Sequence, residues 1–185
     1  MQIRIIAISG SLRSGSSNTV LLRAACAIAP AGMSVELYDG IDRLPFLNPD
    51  LDGDEVPATV ESFRAEMRAS QGLLISSPEY AHGVPGVLKN ALDWLVGSTQ
   101  GEIVDKPVAL INASPRSTHA QASLVETLRT MSARVVADVR LTNSLKAKAF
   151  DEMSLRSDPD VVRVVSLALA ALGSAILDSP KVEAV

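Results

Sequence analysis

The sequence has few cysteines and few aromatic residues. Cys26 is its single cysteine, which excludes an intrachain disulfide and a metal site built on several thiolates. Aromatic residues make up 3% of the 185 residues, and 21 acidic side chains outnumber 17 basic ones, for a net charge of −4. This charge argues against wrapping of a nucleic-acid backbone. We expect no metal, no nucleic-acid partner and a reducing, cytoplasmic location.

A long uninterrupted apolar run is also missing. The longest apolar stretch, residues 164–177, is broken by two serines and a glycine and is too short to cross a bilayer. The apolar N-terminal stretch is too short for a signal peptide, so we expect no membrane segment. Since 47% of the residues are apolar, a core can form. The length favours a single domain over residues 1–178, with a frayed tail at residues 179–185.

Short apolar runs alternate with segments of helical periodicity. The strand candidates lie at residues 3–9, 35–38, 73–76, 108–113 and 135–141. They are apolar on both faces, as strands covered by helices are. The helix candidates are residues 19–28 and 84–96, two segments marked by the stripes Val60-Phe63-Met67 and Leu124-Leu128-Met131, and a fifth that starts at Asp158-Pro159. The alternation predicts an α/β sandwich of three layers around a five-stranded parallel sheet, with one long irregular connection at residues 40–57.

Small polar residues follow the first predicted strand. Residues 9–18 read Ser-Gly-Ser-Leu-Arg-Ser-Gly-Ser-Ser-Asn, directly before a predicted helix. Backbone N–H groups at a helix start, together with hydroxyls and a guanidinium, attract phosphate. Helix capping alone also favours serine and asparagine, but it needs one such residue rather than five. The candidate phosphate ligands are Ser11, Arg13, Ser16, Ser17 and Asn18.

Two better-known phosphate motifs match this segment poorly. Gly10 and Gly15 have the spacing of the GxxxxGK[ST] loop, but Ser16 stands where that loop needs lysine. The glycines also miss the G-x-G-x-x-G order of dinucleotide sites. A monophosphate therefore fits better than a triphosphate.

A second candidate segment follows the third predicted strand. Pro78 and Pro85 bracket Tyr80 and His82, so the backbone is stiff and can support a flat ligand. In a sheet of order 2-1-3-4-5, this segment and the first one meet where the winding reverses, which is where ligands bind. A surface role for Tyr80 and His82 stays open, and Glu79 is equally consistent with an anion at a helix start.

With both segments in view, the chain resembles the NADPH-dependent FMN reductase family of flavodoxin-like proteins, which includes flavin, quinone, azo-dye and chromate reductases. The resemblance rests on Gly10-Ser11-Leu12-Arg13 with Ser16 and Asn18, and on residues 77–80 with residues 85–95. It implies a flavodoxin-like sheet of order 2-1-3-4-5, with the FMN phosphate on the first segment. It also implies that the flavin ring lies against Pro78, Glu79, Tyr80, Ala81, His82 and Gly83.

Two departures from the family pattern affect the expected site. Ala81 stands where many relatives have asparagine, so a side-chain amide contact is lost there. The segment after the fourth strand is often glycine-rich in the family, whereas residues 113–119 here read Ala-Ser-Pro-Arg-Ser-Thr-His. We count Ser114 and Arg116 as candidate contacts to the flavin edge or to a dinucleotide phosphate, although a solvated Arg116 is an equal alternative.

The resemblance implies chemistry carried by FMN, with no catalytic residue in the protein. The expected activity is ping-pong transfer of hydride from NADPH or NADH to an acceptor such as free flavin, a quinone, an azo compound or a metal oxyanion. A flavin-binding electron carrier or regulator is the alternative, although such carriers are usually more acidic. A hydrolase is disfavoured because no G-x-S-x-G motif is present. The resemblance also implies a homodimer or homotetramer. Candidate contacts are the apolar fifth helix and the third-helix residues Lys89, Asp93 and Trp94, with plain core packing as the alternative for both helices.

Overall fold

The sheet has the topology that the sequence predicts. A computed structural model describes residues 2–53, 56–143, 145 and 152–178. Five parallel strands form one sheet in the order β2-β1-β3-β4-β5. The strands are β1 (Ile3–Ser9), β2 (Met33–Leu37), β3 (Gly72–Ser76), β4 (Pro107–Asn112) and β5 (Arg134–Arg140).

Helices cover both faces of the sheet. They are α1 (Ser17–Ile28), α2 (Ala58–Ala69), α3 (Gly86–Val96), α4 (His119–Thr130), α5 (Glu152–Leu155) and α6 (Pro159–Leu177). Ile6 and Ile8 of β1 point into a core with α2, α3 and α4, whereas Ile5 and Ala7 point into a core with α1 and α6. This alternation along β1 explains why its sequence is apolar at successive positions.

The edge strand β5 differs from its prediction as a strand buried on both faces. Arg134, Asp138 and Arg140 lie along it, and both arginines are exposed. A strand at the edge of a sheet has one open side, and charged residues there discourage pairing with another chain. The sequence pattern showed a strand but not its place at the edge.

Two helix predictions need correction. The third helix begins at Gly86 rather than at residue 84, because Pro85 is an extended residue with ψ 137° that precedes the first turn. Proline therefore caps this helix instead of lying within it. The four-residue α5 was not predicted, since one turn is too short to show periodicity. The predicted tail at residues 179–185 lies outside the described residues.

Helix α6 is longer than the apolar stretch considered in the sequence. Its 19 residues are long and apolar enough, by length and composition, to cross a membrane. The prediction that this segment is too short to cross a bilayer is therefore wrong for the helix as a whole. In the structure, one face of α6 packs on the sheet through Val161, Val165 and Leu169, as the core helix of a globular protein does.

The long connection at residues 40–57 is tied to α2 and α3. The carbonyl of Pro45 accepts hydrogen bonds from Trp94 Nε1 at 2.7 Å and from Asn90 Nδ2 at 2.9 Å. Farther along, Asp52 pairs with the buried Arg64 at 2.8 Å. Trp94 is fully buried by these contacts, so its prediction as a candidate surface for assembly is wrong.

Candidate active site at the carboxyl end of the sheet

Three loops meet at the carboxyl ends of β1, β3 and β4. We call them the first loop (residues 10–16), the second loop (residues 77–85) and the third loop (residues 113–118). Because β1 and β3 are neighbours while their connections lie on opposite faces, the first two loops flank the point where the winding reverses.

The first and second loops touch at Gly10. Its N–H donates to the carbonyl of Ser76 at 2.9 Å. A Cβ atom added at Gly10 would lie 2.3 Å from Ser77 Oγ and 2.8 Å from Ser77 Cβ. Glycine is therefore required here by space, and the two loops form one surface.

Several polar side chains in the first loop and at the start of α1 make hydrogen bonds within the protein. Ser16 is the N-cap of α1, and its hydroxyl accepts a hydrogen bond from the N–H of Thr19 at 3.4 Å. Asn18 is buried, and its Oδ1 accepts from Ser76 Oγ at 2.9 Å. The hydroxyl of Ser17 donates to the carbonyl of Leu145 at 3.2 Å. Capping thus accounts for Ser16, while Asn18 joins α1 to β3.

The remaining polar groups of this region are available to an anion. Arg13 is exposed, and within the described part of the chain its guanidinium has no acceptor. The N–H groups of Ser17 and Asn18, at the start of α1, also have no acceptor among the described residues. The first turn of α1 contains no acidic residue. Free N–H groups, the positive end of the helix dipole and an arginine are therefore present within six consecutive residues, with no carboxylate in the first turn of α1.

The second loop contains a tight turn at residues 80–83. Tyr80 N–H donates to the Gly83 carbonyl at 3.2 Å, and Gly83 N–H donates back to Tyr80 at 2.9 Å. The central residues Ala81 and His82 have φ angles of 48° and 62°, the backbone of a type I′ turn. Their N–H groups have no acceptor among the residues that the structure describes. The turn thus presents two free donors on a strained, short backbone.

Glu79 connects the second loop to α4. Its Oε2 accepts a hydrogen bond from the N–H of Ala120 at 2.8 Å. The N-cap residue of α4, Thr118, makes no capping hydrogen bond with its side chain. Glu79 therefore acts as an anion at the start of α4. The sequence alone had left this role open.

The third loop is shaped by Asn112 at the end of β4. Asn112 Nδ2 donates to the Ser117 carbonyl at 2.7 Å, and its Oδ1 accepts from Ser114 N–H at 2.9 Å. Ser114 Oγ accepts from the N–H of Arg116 at 3.3 Å. These bonds hold a loop that lacks glycine, and they leave the side chain of Arg116 exposed.

A cavity of about 220 Å³ lies between the start of α1, the second loop and the third loop. The predicted candidates that line it are Ser17, Asn18, Pro78, Glu79, Ser114 and Arg116. The other candidates lie in the first and second loops but outside this cavity: Ser11, Arg13, Ser16, Tyr80, Ala81, His82 and Gly83. Tyr80 is 57% exposed, so the turn that carries it lies at the rim.

Comparison with known proteins places this chain in a family. The family model described as NADPH-dependent FMN reductase matches residues 3–146, which include all three loops. The chain belongs to this family. It is 36% identical over 173 residues to the NAD(P)H-dependent FMN reductase of Pseudomonas aeruginosa, covering 92% of this chain and 93% of that protein. It is 38% identical over 114 residues to the quinone reductase of Escherichia coli K12, covering 61% of each chain.

A solved structure shows the same fold. The flavoenzyme NAD(P)H:(acceptor) oxidoreductase FerB from Paracoccus denitrificans superposes with a TM-score of 0.68 at 24% identity, covering 94% of this chain and 95% of that one. For this FMN reductase family member, the predictions of a flavodoxin-like fold, an oxidoreductase, FMN as cofactor and NAD(P)H as reductant are confirmed at the level of the family.

Several residues of the reductase site were missed in the sequence. Leu145 lines the cavity; its N–H donates to the Ala113 carbonyl at 3.3 Å and its carbonyl accepts from Ser17 Oγ, so it joins the third loop to the start of α1. Asn112 and His119 were also missed as structural parts of the site. Asn112 could have been noticed as a polar residue that ends an apolar strand. Nothing in the pattern indicates Leu145, because its role depends on a contact 128 residues from Ser17.

Proposed function

We propose that this chain binds FMN across the first and second loops and catalyses the reduction of an oxidised acceptor by NAD(P)H. The observation that carries the proposal is the presence of two sets of free backbone N–H groups at the end of the sheet where the connections change from one face to the other. One set lies beside Arg13 at the start of α1, and the other lies at residues 81 and 82. The first suits a phosphate and the second a ring that gains negative charge.

The donor set of the first loop fits the phosphate of FMN. A phosphate monoester accepts several hydrogen bonds, and the free N–H groups of Ser17 and Asn18 follow the exposed Arg13 by four and five residues along the chain. We assign Ser11, Arg13, Ser16, Ser17 and Asn18 to this end. Because the Ser16 hydroxyl caps α1, its part is to hold the helix start in place.

The second and third loops fit the flavin ring. We assign Pro78, Glu79, Tyr80, Ala81, His82 and Gly83 to the ring, together with Ser114 and Arg116 at its edge. When bound, FMN supplies a ring that takes a hydride from NAD(P)H and passes the electrons onward. The protein's part is to orient the ring and to direct the N–H groups of Ala81 and His82 toward developing negative charge.

The two substrates are proposed to bind in turn at one place, which gives ping-pong kinetics. Tyr80 and Arg116 are exposed at the rim, so a planar reductant and a planar acceptor can both approach there. The acceptor classes that this open site admits are free flavins, quinones, azo compounds and metal oxyanions. The proposed location is the cytoplasm.

We also propose that the protein forms a homodimer or a homotetramer. Phe46 is 84% exposed, although the backbone on either side of it is held by hydrogen bonds to α3. An aromatic side chain held in solvent by a fixed backbone supports contact with a second copy of this chain.

Flavin titrations test the phosphate assignment. FMN is expected to bind saturably, measured by quenching of its fluorescence, and Arg13→Ala is expected to weaken binding roughly ten- to a hundredfold, as for loss of a bond to a charged group. Riboflavin, which lacks the phosphate, should bind wild type and Arg13→Ala equally. Arg129→Ala, which removes an exposed positive charge on α4, is the matched control. Equal loss of FMN and riboflavin affinity in Arg13→Ala would contradict the assignment.

Steady-state kinetics test the reaction. Oxidation of NADPH or NADH by the FMN-loaded protein with a quinone is expected to give parallel double-reciprocal lines. Intersecting lines would overturn the ping-pong order, and absence of turnover with every acceptor class would overturn the enzymatic proposal in favour of an electron carrier.

A further inference from the structure

The two histidines of the chain stack on each other at the rim of the candidate site. The ring centroids of His82 and His119 are 4.1 Å apart, and the ring planes are inclined by 20°. His82 lies in the tight turn of the second loop, and His119 is the first residue of α4. Both side chains are exposed, so burial alone does not hold them in place.

The stacked pair joins the second loop to α4, and a hydrogen bond joins the same two segments. Glu79 Oε2 accepts from Ala120 N–H, so each histidine lies within three residues of this hydrogen bond along its own segment. The turn at residues 80–83 has two non-glycine residues at positive φ. Such a conformation persists only where surrounding contacts hold it.

We infer that His119 is a positioning residue that holds the turn of the second loop through its stack with His82. The inference rests on the proposed function, since the turn carries the N–H groups of Ala81 and His82 assigned to the flavin ring. His119 follows the third loop directly as the first residue of α4, so the stack joins the second loop to the start of that helix.

The stack itself is tested in the protein without flavin. The ring protons of His82 are expected to show a ring-current shift in NMR spectra. This shift should vanish in His119→Ala and persist in His119→Phe, because phenylalanine keeps an aromatic face. Thr118→Ala, at the adjacent exposed position, should leave it unchanged. An identical His82 spectrum in wild type and His119→Ala would overturn the inference.

The effect on the flavin is tested by affinity and potential. His119→Ala is expected to weaken FMN binding about three- to tenfold, the range for loss of an aromatic pair, and to make the reduction potential of bound FMN more negative. His119→Phe should restore both. If wild type binds FMN and His119→Ala matches it in affinity and potential, the inference is wrong while the proposed function stands. If wild type shows no saturable FMN binding, both fail.

Discussion

At the scale of single residues, the site depends on how closely two loops approach each other. Gly10 has no space for a side chain, whereas a Cβ atom added at Gly15, in the same loop, would have nothing within 4 Å. Gly10→Ala is therefore expected to push the second loop away, lower the free energy of unfolding by about 1–3 kcal/mol and abolish tight FMN binding. Urea unfolding and flavin fluorescence measure these effects.

Gly15→Ala is the matched control for that change. It adds the same methyl group to the same loop in open space, so stability and FMN affinity should stay near those of wild type. Equal losses in the two variants would mean that flexibility of the first loop matters rather than its contact with Ser77.

Ala81 gives a second prediction at this scale, because its φ of 48° is unfavourable for a residue with a Cβ atom. Ala81→Gly is expected to raise the free energy of unfolding by about 1 kcal/mol. Ala65→Gly, on the exposed side of α2, should lower it by a similar amount, since glycine weakens a helix. Urea unfolding of both variants checks the opposite signs. Destabilisation by both would show that the turn does not have this backbone in solution.

At this scale the residue types in the sequence predicted a binding property, but they could not show which residues are in contact. The composition of the first loop, with its serines, Asn18 and Arg13, predicts anion binding, and this stays a prediction. The closeness of Gly10 to Ser77 and the stacking of His82 on His119 could not be predicted, because each joins segments far apart in the chain. The assignment of each site residue to a part of FMN remains a prediction.

At the scale of secondary-structure elements, periodicity located all five strands and the five longer helices to within a few residues. The predictions were wrong where tertiary structure determines the exposure of a strand or the first residue of a helix. The exposure of β5 follows from its place at the sheet edge, and the late start of α3 follows from the turn before Pro85. One-turn elements such as α5 have no period to detect.

The C-terminus of α2 provides a prediction about pH. Lys106 Nζ donates to the carbonyls of Met67 and Ser70, each at 2.6 Å, and burial lowers the pKa of Lys106 to about 8 although Glu102 opposes this shift. The unfolded chain keeps its proton to about pH 10.5. Between these values the native state binds fewer protons, so stability from this group increases as pH rises.

The free energy of unfolding of wild type minus that of Lys106→Met is therefore expected to increase between pH 7.5 and pH 9.5. The increase should be at most about 1 kcal/mol per pH unit, less where water reaches the amine. Lys89→Met, at an exposed lysine that pairs with Asp93, should show no such trend. Urea titrations at the two pH values measure the difference, and a constant or falling difference would contradict the shift.

At the scale of the whole molecule, the sheet order places the site. A 2-1-3-4-5 sheet brings the ends of β1 and β3 together whatever their side chains are, so topology could be predicted from alternation and resemblance. The extent of one domain over residues 1–178 and the oligomeric state remain predictions. They depend on surfaces, and surface residues have no periodic signal.

The surface around Phe46 supplies the last prediction. The Pro45 carbonyl accepts from Trp94 and Asn90, and Leu47 N–H donates to Asn90 Oδ1 at 2.8 Å, so the backbone cannot turn Phe46 inward without breaking these bonds. Exposure of an aromatic ring costs free energy that burial against a second copy recovers. Wild type is therefore expected to be a dimer or tetramer in size-exclusion chromatography with light scattering.

Phe46→Asp is expected to lower that mass toward the monomer, because a charge would be buried in the contact. Val104→Asp is the control, since Val104 is 53% exposed and precedes β4 at the opposite end of the sheet from the site. It should keep the mass of wild type. Since the side chain of Phe46 takes no part in the hydrogen bonds that hold its own backbone, both variants should keep the circular dichroism spectrum of the folded protein in the absence of urea. A monomeric wild type, or equal masses for wild type and Phe46→Asp, would refute assembly through this surface.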